Sequence, residues 1–394
     1  MTGLRVAIVS RIFTPEPAAA SFRLAALARR LSHAGAAVRV VTSTPPKGLA
    51  VDGADLPQIS IRRAPVLRDR DGYVRGYLNY LSFDIPAFFR ILCGPKADVV
   101  VVEPPPTTGV LMRVACALRR VPYVYYAADV WADAVVAVGV PSIVSTTLRV
   151  MERFAVNGAS AVLSVSESVT SRLRDLGSRS DVVTIGNGVD TSVFAASGRA
   201  IDLGAPYLLY AGTASEVHGA TIFLDAFEIV LATHPNARLV FIGQGADFDA
   251  LRDRAASLPE DAVRFHARMP GAEVGEWMRG AKATLASVRP DVYAIAFPTK
   301  LYASIACGTP VVYAGEGEAR SFAAANGVGW SVDYSTDSVA RAMSAALDAA
   351  SVPESRAQLA AWAAREVSLD GVADRAAAAV LSRCSDESRS EPRQ

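Results

Sequence analysis

The stretch RVAIVSRIFTPEPAAASFRLAALARRLSHAGAAVRVVTS, residues 5–43, determines the fold class that the sequence predicts. Residues 4–10 form a short apolar run rich in β-branched side chains, which is typical of a buried strand. Residues 19–35 place apolar side chains at helical spacing and end at Gly35, a residue suited to a helix C-terminus. A second strand is expected at 37–43. This order of strand, helix and strand predicts a parallel βαβ unit.

The same alternation continues along the chain and predicts two domains. Strand patterns made almost only of apolar residues indicate sheets that are buried on both faces. The expected fold class is α/β, with two tandem doubly wound, Rossmann-like domains that face a shared cleft. The predicted boundaries are an N-terminal domain at 1–194, a small polar linker at 195–205, a second domain at 206–352, helices at 353–383 that pack back on the N-terminal domain, and a disordered tail at 384–394.

Composition excludes several classes of protein. The chain has 394 residues, which is too long for one ordinary α/β domain, and 51% of them are hydrophobic, which predicts a substantial core. A net charge of +1 argues against a nucleic-acid partner. The four cysteines lie far apart and match neither a disulfide framework nor a metal site, so buried free thiols are expected.

The N-terminus and the apolar segments bear on location. The first residues predict a buried strand and not a signal peptide, and no apolar stretch is long enough to span a membrane, so a cytoplasmic location is expected. Segments 74–94 and 142–156 combine apolar and basic residues. Either segment rests on the cytoplasmic face of a membrane and meets a lipid-linked acceptor, or it packs in the core of the N-terminal domain.

The stretch FPTKLYASIACG, residues 297–308, is the first candidate site. Pro298 fixes the chain that enters a short apolar helix, and Thr299 is the expected N-cap. The first N–H groups of a helix lack internal partners, and Lys300 adds a full positive charge beside Leu301. The pattern fits a phosphate site or an ordinary capped core helix.

The segment YAGTASEVHGA, residues 210–220, is a second strand–loop–helix junction that can hold an anion. Gly212 and Thr213 begin its loop, and His218 precedes the helix, where a structural role is the alternative. Arg289 can add charge to the same region.

Gly243 and Gly245 bracket Gln244 just after another strand, which lets backbone lie flat against a ligand such as a nucleobase. The fuller G-x-G-x-x-G spacing is missing, and this argues against an NAD-type dehydrogenase.

The joint order of these motifs resembles a glycosyltransferase of the GT-B fold, close to glycosyltransferase family 4. The likeness extends over about residues 4–350. It rests on the opening segment 5–43, TIGNGVDTSVF at 184–194, LLYAGTASEVHGATIFLDAF at 208–227, LVFIGQG at 239–245 and FPTKLYASIACGTPVV at 297–312. YYAADVWADAVVAVG at 125–139 is similar to the branch that makes bacterial surface sugars.

The resemblance implies a retaining, metal-independent enzyme that transfers a hexosyl or N-acetylhexosaminyl group from a nucleotide sugar to a glycan or lipid-linked acceptor. No cofactor beyond the donor is implied. The implied donor-binding residues are Gly212, Thr213, His218, Gly243, Gln244, Arg289, Pro298, Thr299, Lys300, Leu301 and Glu318. The implied acceptor-binding residues are Glu16, Arg23 and Asp129, and Asp129 and Lys300 are the implied catalytic residues.

The chain departs from the family pattern in its donor half. Members carry two glutamates where this chain has Ile295 and Ala303, and the second usually binds the nucleotide ribose. Glu316 or Glu318 is a candidate substitute. Thr213 and His218 also stand in regions where many members have an arginine and a lysine.

Two further departures lie in the N-terminal half. The loop that is usually glycine-rich reads Ala18-Ala19-Ala20, and Ala128 stands where a histidine is common. Asp129 either orients an acceptor hydroxyl or caps a helix.

Two other functions remain open, a sugar-nucleotide 2-epimerase and a non-catalytic sugar-nucleotide-binding protein on the same fold. The epimerase would need several acid–base carboxylates and histidines, of which few are evident. The missing glutamates keep the binding protein open as an alternative.

Overall fold

In the computed structural model, the described residues are 3–16, 18–46, 49, 59–69, 72, 74, 76–133, 141–290, 297–350 and 352–390. The chain divides into two compact units. The first unit contains Met1–Asn187 and Leu369–Gln394, and the second contains Gly188–Ser368.

The first unit is built on a parallel sheet with seven strands among the described residues, in the order β3-β2-β1-β4-β5-β6-β7. Its elements before residue 188 are β1 (Arg5–Val9), α1 (Ala19–His33), β2 (Ala37–Ser43), β3 (Ile59–Ala64), α2 (Tyr77–Leu92), β4 (Val99–Val102), α3 (Pro106–Arg119), β5 (Tyr123–Ala127), α4 (Ser142–Asn157), β6 (Ala161–Ser164), α5 (Glu167–Asp175) and β7 (Val182–Thr184). The βαβ unit predicted at the N-terminus is confirmed, because β1 pairs with β2 in parallel.

The second unit has a parallel sheet with six strands among the described residues, in the order β10-β9-β8-β11-β12-β13. Its elements are β8 (Tyr207–Thr213), α6 (Thr221–Leu231), β9 (Arg238–Gln244), α7 (Phe248–Ala255), β10 (Val263–Ala267), α8 (Gly271–Gly280), β11 (Ala283–Ser287), α9 (Lys300–Ala306), β12 (Val311–Ala314), α10 (Gly317–Ala325), β13 (Gly329–Val332), α11 (Thr336–Asp348) and α12 (Pro353–Glu366). The two sheets confirm the predicted fold class, since helices alternate with parallel strands in each unit. Central strands such as β11 are buried throughout.

The unit boundaries differ from those that the sequence predicts. The first unit ends at Asn187, before the predicted end at residue 194. The following residues join the second unit through backbone hydrogen bonds, such as Val189 N to Val367 O at 2.9 Å. Helix α12 also belongs to the second unit.

The last helix, α13 (Leu369–Ser390), returns to the first unit, where it packs on α1. Its backbone is helical from residue 384 to Ser390, within the segment predicted as a disordered tail, and residues 391–394 lie outside the described part of the chain.

All four cysteines are free thiols, but only two of them are buried. Cys116 and Cys307 lie in the cores, as expected. Cys93 is exposed and Cys384 is partly exposed, which corrects the prediction of four buried thiols. Cys93 is exposed because it stands at the C-terminal cap of α2, beyond the buried part of that helix. No helix in the described part of the chain is both long and apolar enough to cross a membrane.

Candidate functional site

The carboxyl ends of β8 and β9 form a surface of bare backbone in the second unit. Gly212 pairs with Gly243 across the two strands, and a Cβ atom at Gly243 would lie 2.0 Å from the Gly212 carbonyl oxygen. With φ at 150°, Gly243 also has a backbone conformation that side chains disfavour. Thr213 and Gln244 are exposed at the same edge, so the predicted loop residues come together there.

Lys300 provides a positive charge at this edge. Its Nζ atom is inaccessible to solvent and has no hydrogen-bond partner among the described residues, although the residue as a whole is partly exposed. Nζ lies 3.7 Å from the centre of the Tyr210 ring, and a Cβ atom at Gly212 would lie 3.5 Å from it. Burial lowers the pKa of Lys300 to about 7. An unpaired ammonium group that is held beneath bare backbone is suited to receive an anion.

The loop between β8 and α6 places His218 near Lys300. Ser215 Oγ and His218 Nδ1 are 2.8 Å apart, and Ser287 donates a hydrogen bond to the His218 carbonyl oxygen at 2.6 Å. Burial, with the charge of Lys300, lowers the pKa of His218 to about 4, so its imidazole is neutral at pH 7. Arg289 N donates to Val217 O at 2.9 Å, which ties this arginine to the same loop.

The start of α9 corrects one detail of the predicted phosphate site. Thr299 stands at the N-cap position, but its backbone is already helical and its side chain makes no capping hydrogen bond. The amide of Leu301 donates to Pro298 O at 3.1 Å, and the Leu301 side chain is buried in the core. The side-chain charge of Lys300 is therefore the main source of positive potential at this junction.

The candidate substitutes for the family glutamates lie at the start of α10. Glu316 is the exposed N-cap residue of this helix, and Glu318 lies in its first turn. Burial, with a smaller contribution from Glu318, raises the pKa of the buried Tyr302 phenol. Ala303 is buried in the core, and Ile295 lies outside the described residues.

In the first unit, Arg23 lies close to the buried carboxylate of Glu103, a residue that is not among the predicted site residues. Arg23 Nη2 is 3.6 Å from Glu103 Oε1, and the Arg23 guanidinium lies 5.5 Å from the centre of the Tyr126 ring. Ser10 Oγ donates to Glu103 at 2.5 Å, and burial raises the pKa of Glu103. A signal for Glu103 was present, because an acidic residue directly follows the four valines of β4.

Asp129 follows β5 and belongs to the same electrostatic cluster. Part of Asp129 is exposed to solvent. The surrounding protein nevertheless reduces the hydration of its carboxyl group, which raises the pKa of this group to about 6. Glu103 adds to this increase, and Arg23 opposes it.

Glu16, an implied acceptor-binding residue, forms an ion pair with Arg68 in the first unit. Its two carboxylate oxygens accept hydrogen bonds from Arg68 at 2.8 and 3.2 Å. The structure therefore pairs Glu16 with a protein cation.

Arg11, Tyr80 and Trp131 form a second cluster that the sequence analysis missed. The Arg11 guanidinium lies 4.5 Å from the centre of the Tyr80 ring and 5.2 Å from that of Trp131. These residues come from the β1–α1 loop, α2 and the segment after β5, so their proximity has no local sequence signal.

Two family models match the chain, and together they extend over most of it. The model described as "Glycosyl transferase 4-like domain" matches residues 19–188, and "Glycosyl transferases group 1" matches residues 196–365. Among curated proteins, none matches the chain by sequence.

Several solved structures have the same fold as this chain. HepE of Anabaena in complex with UDP and glucose is 16% identical, with a TM-score of 0.68 over 96% of this chain and 99% of that one. A glycosyltransferase of Rickettsia africae is 11% identical, with a TM-score of 0.69 over 99% of this chain and 100% of that one. A putative UDP-N-acetylglucosamine 2-epimerase of Listeria monocytogenes is 14% identical, with a TM-score of 0.64 over the full length of both chains. At these identities the likeness shows the fold alone.

Proposed function

Because this chain belongs to the GT-B glycosyltransferases of the family 4-like type, we propose that it moves a sugar from a nucleoside-diphosphate sugar to an acceptor hydroxyl, with retention and without a metal ion. In this proposal the sugar is a hexosyl or N-acetylhexosaminyl group, and the product belongs to polysaccharide or glycolipid synthesis in the cytoplasm. The complex of Anabaena HepE with UDP and glucose supports a uridine nucleotide as the first donor to test.

The observation that carries the proposal is the unpaired ammonium of Lys300 beside Gly212. Negative charge develops on the diphosphate as the bond from the sugar to the β-phosphate breaks. Lys300, with Arg289 on the neighbouring loop, supplies fixed positive charge to stabilise that leaving group. Neutral His218 adds a polar group without a second charge, and the bare backbone at Gly212 and Gly243 lets the nucleotide approach closely.

Asp129 is the candidate for the acceptor side of the reaction. Because the pKa of its carboxyl group is about 6, Asp129 is mostly ionised at pH 7 and can accept a hydrogen bond from an acceptor hydroxyl. For retention, that hydroxyl must attack the face of the sugar that the diphosphate leaves. Arg23 and Glu103 then position Asp129 through their charges.

The first unit also has a surface that fits a membrane, formed by the outer sides of α2, α3 and α4. Helix α3 packs on both α2 and α4. The exposed apolar residues of this surface are Tyr77, Leu78, Leu81, Ile85 and Phe89 on α2, Val114 and Leu118 on α3, and Ile143, Val150 and Phe154 on α4. Core packing was the alternative expectation for segments 74–94 and 142–156, but the described helices there each have one buried side and one exposed side.

The charges of the α2–α4 surface complement an anionic bilayer. The surface-accessible charged residues of these three helices are arginines, namely Arg90, Arg113, Arg119, Arg149 and Arg153, whereas Asp84 and Glu152 are buried. Apolar side chains flanked by arginines favour binding in the interface of anionic membranes. We therefore include peripheral contact with the cytoplasmic face of the inner membrane, and a lipid-linked acceptor, in the proposed function.

A donor assay with Lys300→Ala tests the transferase proposal. Wild-type protein should bind UDP in calorimetry and release it from UDP-sugars only when an acceptor is present. Loss of one fixed contact to the leaving group should lower turnover by about 10²–10³-fold. Lys96→Ala is the control, because Lys96 is an exposed lysine of the first unit.

Three outcomes would contradict the proposal in different ways. Near-normal turnover in Lys300→Ala would remove the assigned role of Lys300. Interconversion of the sugar nucleotide without transfer would identify an epimerase. Nucleotide binding without turnover across a panel of donors and acceptors would identify a binding protein.

A further inference from the structure

Arg11 is held rigidly at the carboxyl end of β1 in the first unit. Its guanidinium contacts the Tyr80 and Trp131 rings, which are 6.1 Å apart and nearly perpendicular to each other. Glu152 holds the backbone that carries the Trp131 ring. Its carboxylate accepts hydrogen bonds from the backbone N–H groups of Trp131 and Ala132, both at 2.9 Å. The cation is therefore set in place before any ligand arrives.

Two side-chain nitrogens of Arg11 lack acceptors among the residues that the structure describes. Both Nε and Nη1 are inaccessible to solvent and have no hydrogen-bond partner there. A buried donor without an acceptor costs about 1–3 kcal/mol, and more when the group is charged. Such a group is rarely retained in a well-packed structure unless a ligand, an ion or water completes it.

Two neighbouring carboxylates do not complete the site. Asp84 Oδ1 accepts from Thr108 at 2.5 Å, and Thr107 also lowers the pKa of this buried carboxyl group. Glu103 is hydrogen-bonded by Ser10 and lies near Arg23. Burial raises the pKa of both carboxyl groups, and the charge of Arg11 opposes the increase in each of them.

Helix α2 connects this cluster to the α2–α4 surface. Tyr80 and Asp84 are four residues apart and face the protein interior, whereas Leu78, Ile85 and Phe89 lie on the opposite side and are exposed. Helix α2 thus has an exposed apolar stripe on one side and contacts Arg11 through Tyr80 on the other. An amphiphile could place its apolar chain along the stripe and its head group beside Arg11.

We propose that Arg11, framed by Tyr80 and Trp131, binds the phosphate group of an acceptor that carries an apolar chain. The planar guanidinium offers parallel N–H donors to two phosphate oxygens, the geometry for which arginine is preferred over lysine. The two aromatic rings exclude water and keep the guanidinium group from rotating. The inference rests on the proposed transferase function, and it names the chemical class of the acceptor.

The test uses full-length Lys300→Ala protein, so that the donor site does not take up phosphate. Its probes are octyl phosphate, octyl β-glucoside as the uncharged amphiphile and inorganic phosphate as the anion without a chain. Binding is measured by calorimetry and by the change in tryptophan fluorescence, to which the first unit contributes through Trp131. Octyl phosphate should bind saturably and more tightly than either other probe.

Variants at Arg11 identify the contact. Adding Arg11→Ala should weaken octyl phosphate binding by about 10- to 100-fold, the range for losing a hydrogen-bonded charge. Arg11→Lys, which keeps a cation and guards against simple unfolding of the alanine variant, should bind more weakly than the parent but more tightly than Arg11→Ala.

Each contrary result has a definite meaning. Unchanged octyl phosphate binding in Arg11→Ala and Arg11→Lys would overturn the proposal. Equal binding of octyl β-glucoside would overturn the anion assignment, and equal binding of inorganic phosphate would overturn the lipid assignment. If Lys300-containing protein binds UDP while octyl phosphate does not bind, only this inference fails; if UDP does not bind, the transferase proposal fails whatever octyl phosphate does.

Discussion

At the scale of single residues, Lys300 has opposite effects on two properties. Its buried charge favours the proposed binding of the donor but lowers the stability of the protein without a ligand. A buried ammonium without a counter-ion loses hydration that the Tyr210 ring replaces only in part. The lowered pKa of Lys300 records this cost, because burial favours the uncharged amine. An incoming diphosphate would supply the missing partner and return the lysine to its charged form.

We expect Lys300→Met to stabilise the empty protein while weakening donor binding. The folded pKa is about 7 and the ordinary value is 10.5, so the unfolded state binds the proton more tightly between these pH values. The charge penalty is full below pH 7 and fades as pH rises toward 10.5. The melting temperature should therefore rise most at pH 6, by roughly 2–4 °C for each kcal/mol gained in a domain of this size, and the gain should shrink at pH 9.

Thermal unfolding at pH 6 and pH 9 measures this effect, with Lys96→Met as the control for removing an exposed lysine. A lower melting temperature for Lys300→Met at pH 6 would show that the ammonium has a stabilising partner in the empty protein.

At the scale of the elements, the sequence predicts the strands and helices well because their patterns are local. Buried strands such as β4 and amphipathic helices such as α1 follow from apolar spacing alone. Strand β3 has no predicted counterpart, because ISIRRA alternates in exposure at the sheet edge and lacks a continuous apolar run.

The candidate sites are less predictable, because their contacts join distant segments. The junctions at Gly212, His218 and Lys300 could be found from the sequence because strand–loop–helix order places them at one sheet edge. The pairing of Glu16 with Arg68 and the cluster of Arg11, Tyr80 and Trp131 could not be found from the sequence. Both depend on three-dimensional packing between elements.

Glycine at position 243 should be required by the approach of β8 and β9. A Cβ atom there would meet the Gly212 carbonyl oxygen at 2.0 Å, and backbone cannot move away without disrupting the strand pair. We expect Gly243→Ala to cost several times the roughly 1–2 kcal/mol of an unfavourable backbone conformation alone. Gly35→Ala is the matched control, since its φ is 86° but nothing lies within 4 Å of its added Cβ. Urea unfolding should separate the two variants, and equal losses would refute the steric explanation.

The exposed stripe of α2 should be required for binding to anionic vesicles. Replacing Leu78 and Ile85 with glutamine removes two apolar side chains from the α2–α4 surface, each worth up to about 1.5–3 kcal/mol when fully buried. Flotation with phosphatidylglycerol vesicles should fall by an order of magnitude or more, whereas neutral phosphatidylcholine vesicles should bind weakly throughout. Ile229→Gln is a matched control in the second unit, because Ile229 and Ile85 are both 48% exposed. Equal flotation of all variants, or of both vesicle types, would reject the membrane contact.

At the scale of the whole molecule, the first unit is completed by helix α13, which follows the whole second unit in the sequence. Helix α13 joins α1 through a small apolar cluster of Ala26, Leu369 and Ala373. Arg30 forms ion pairs with Asp370 and Asp374 on α13, at 3.1 and 3.2 Å. The predicted return at 353–383 starts too early, because the Ala-rich helices at the end of the chain have similar patterns and only α13 belongs to the first unit.

Ending the chain at Ser368 should therefore destabilise the first unit selectively. The truncation exposes the apolar side of α1 and removes the hydrogen bond from Arg375 Nε to the Ile185 carbonyl oxygen, which is 2.9 Å long. Hydrogen exchange should accelerate in α1 and β6, both of which contact α13, by an order of magnitude or more if roughly 1.4 kcal/mol of local stability is lost. Exchange in β8 and β9 should stay unchanged and provides the internal control. A chain ending at 383, which keeps most of α13, should behave as wild type, and rapid exchange in α1 of that longer chain would move the essential contacts to the last residues of the helix.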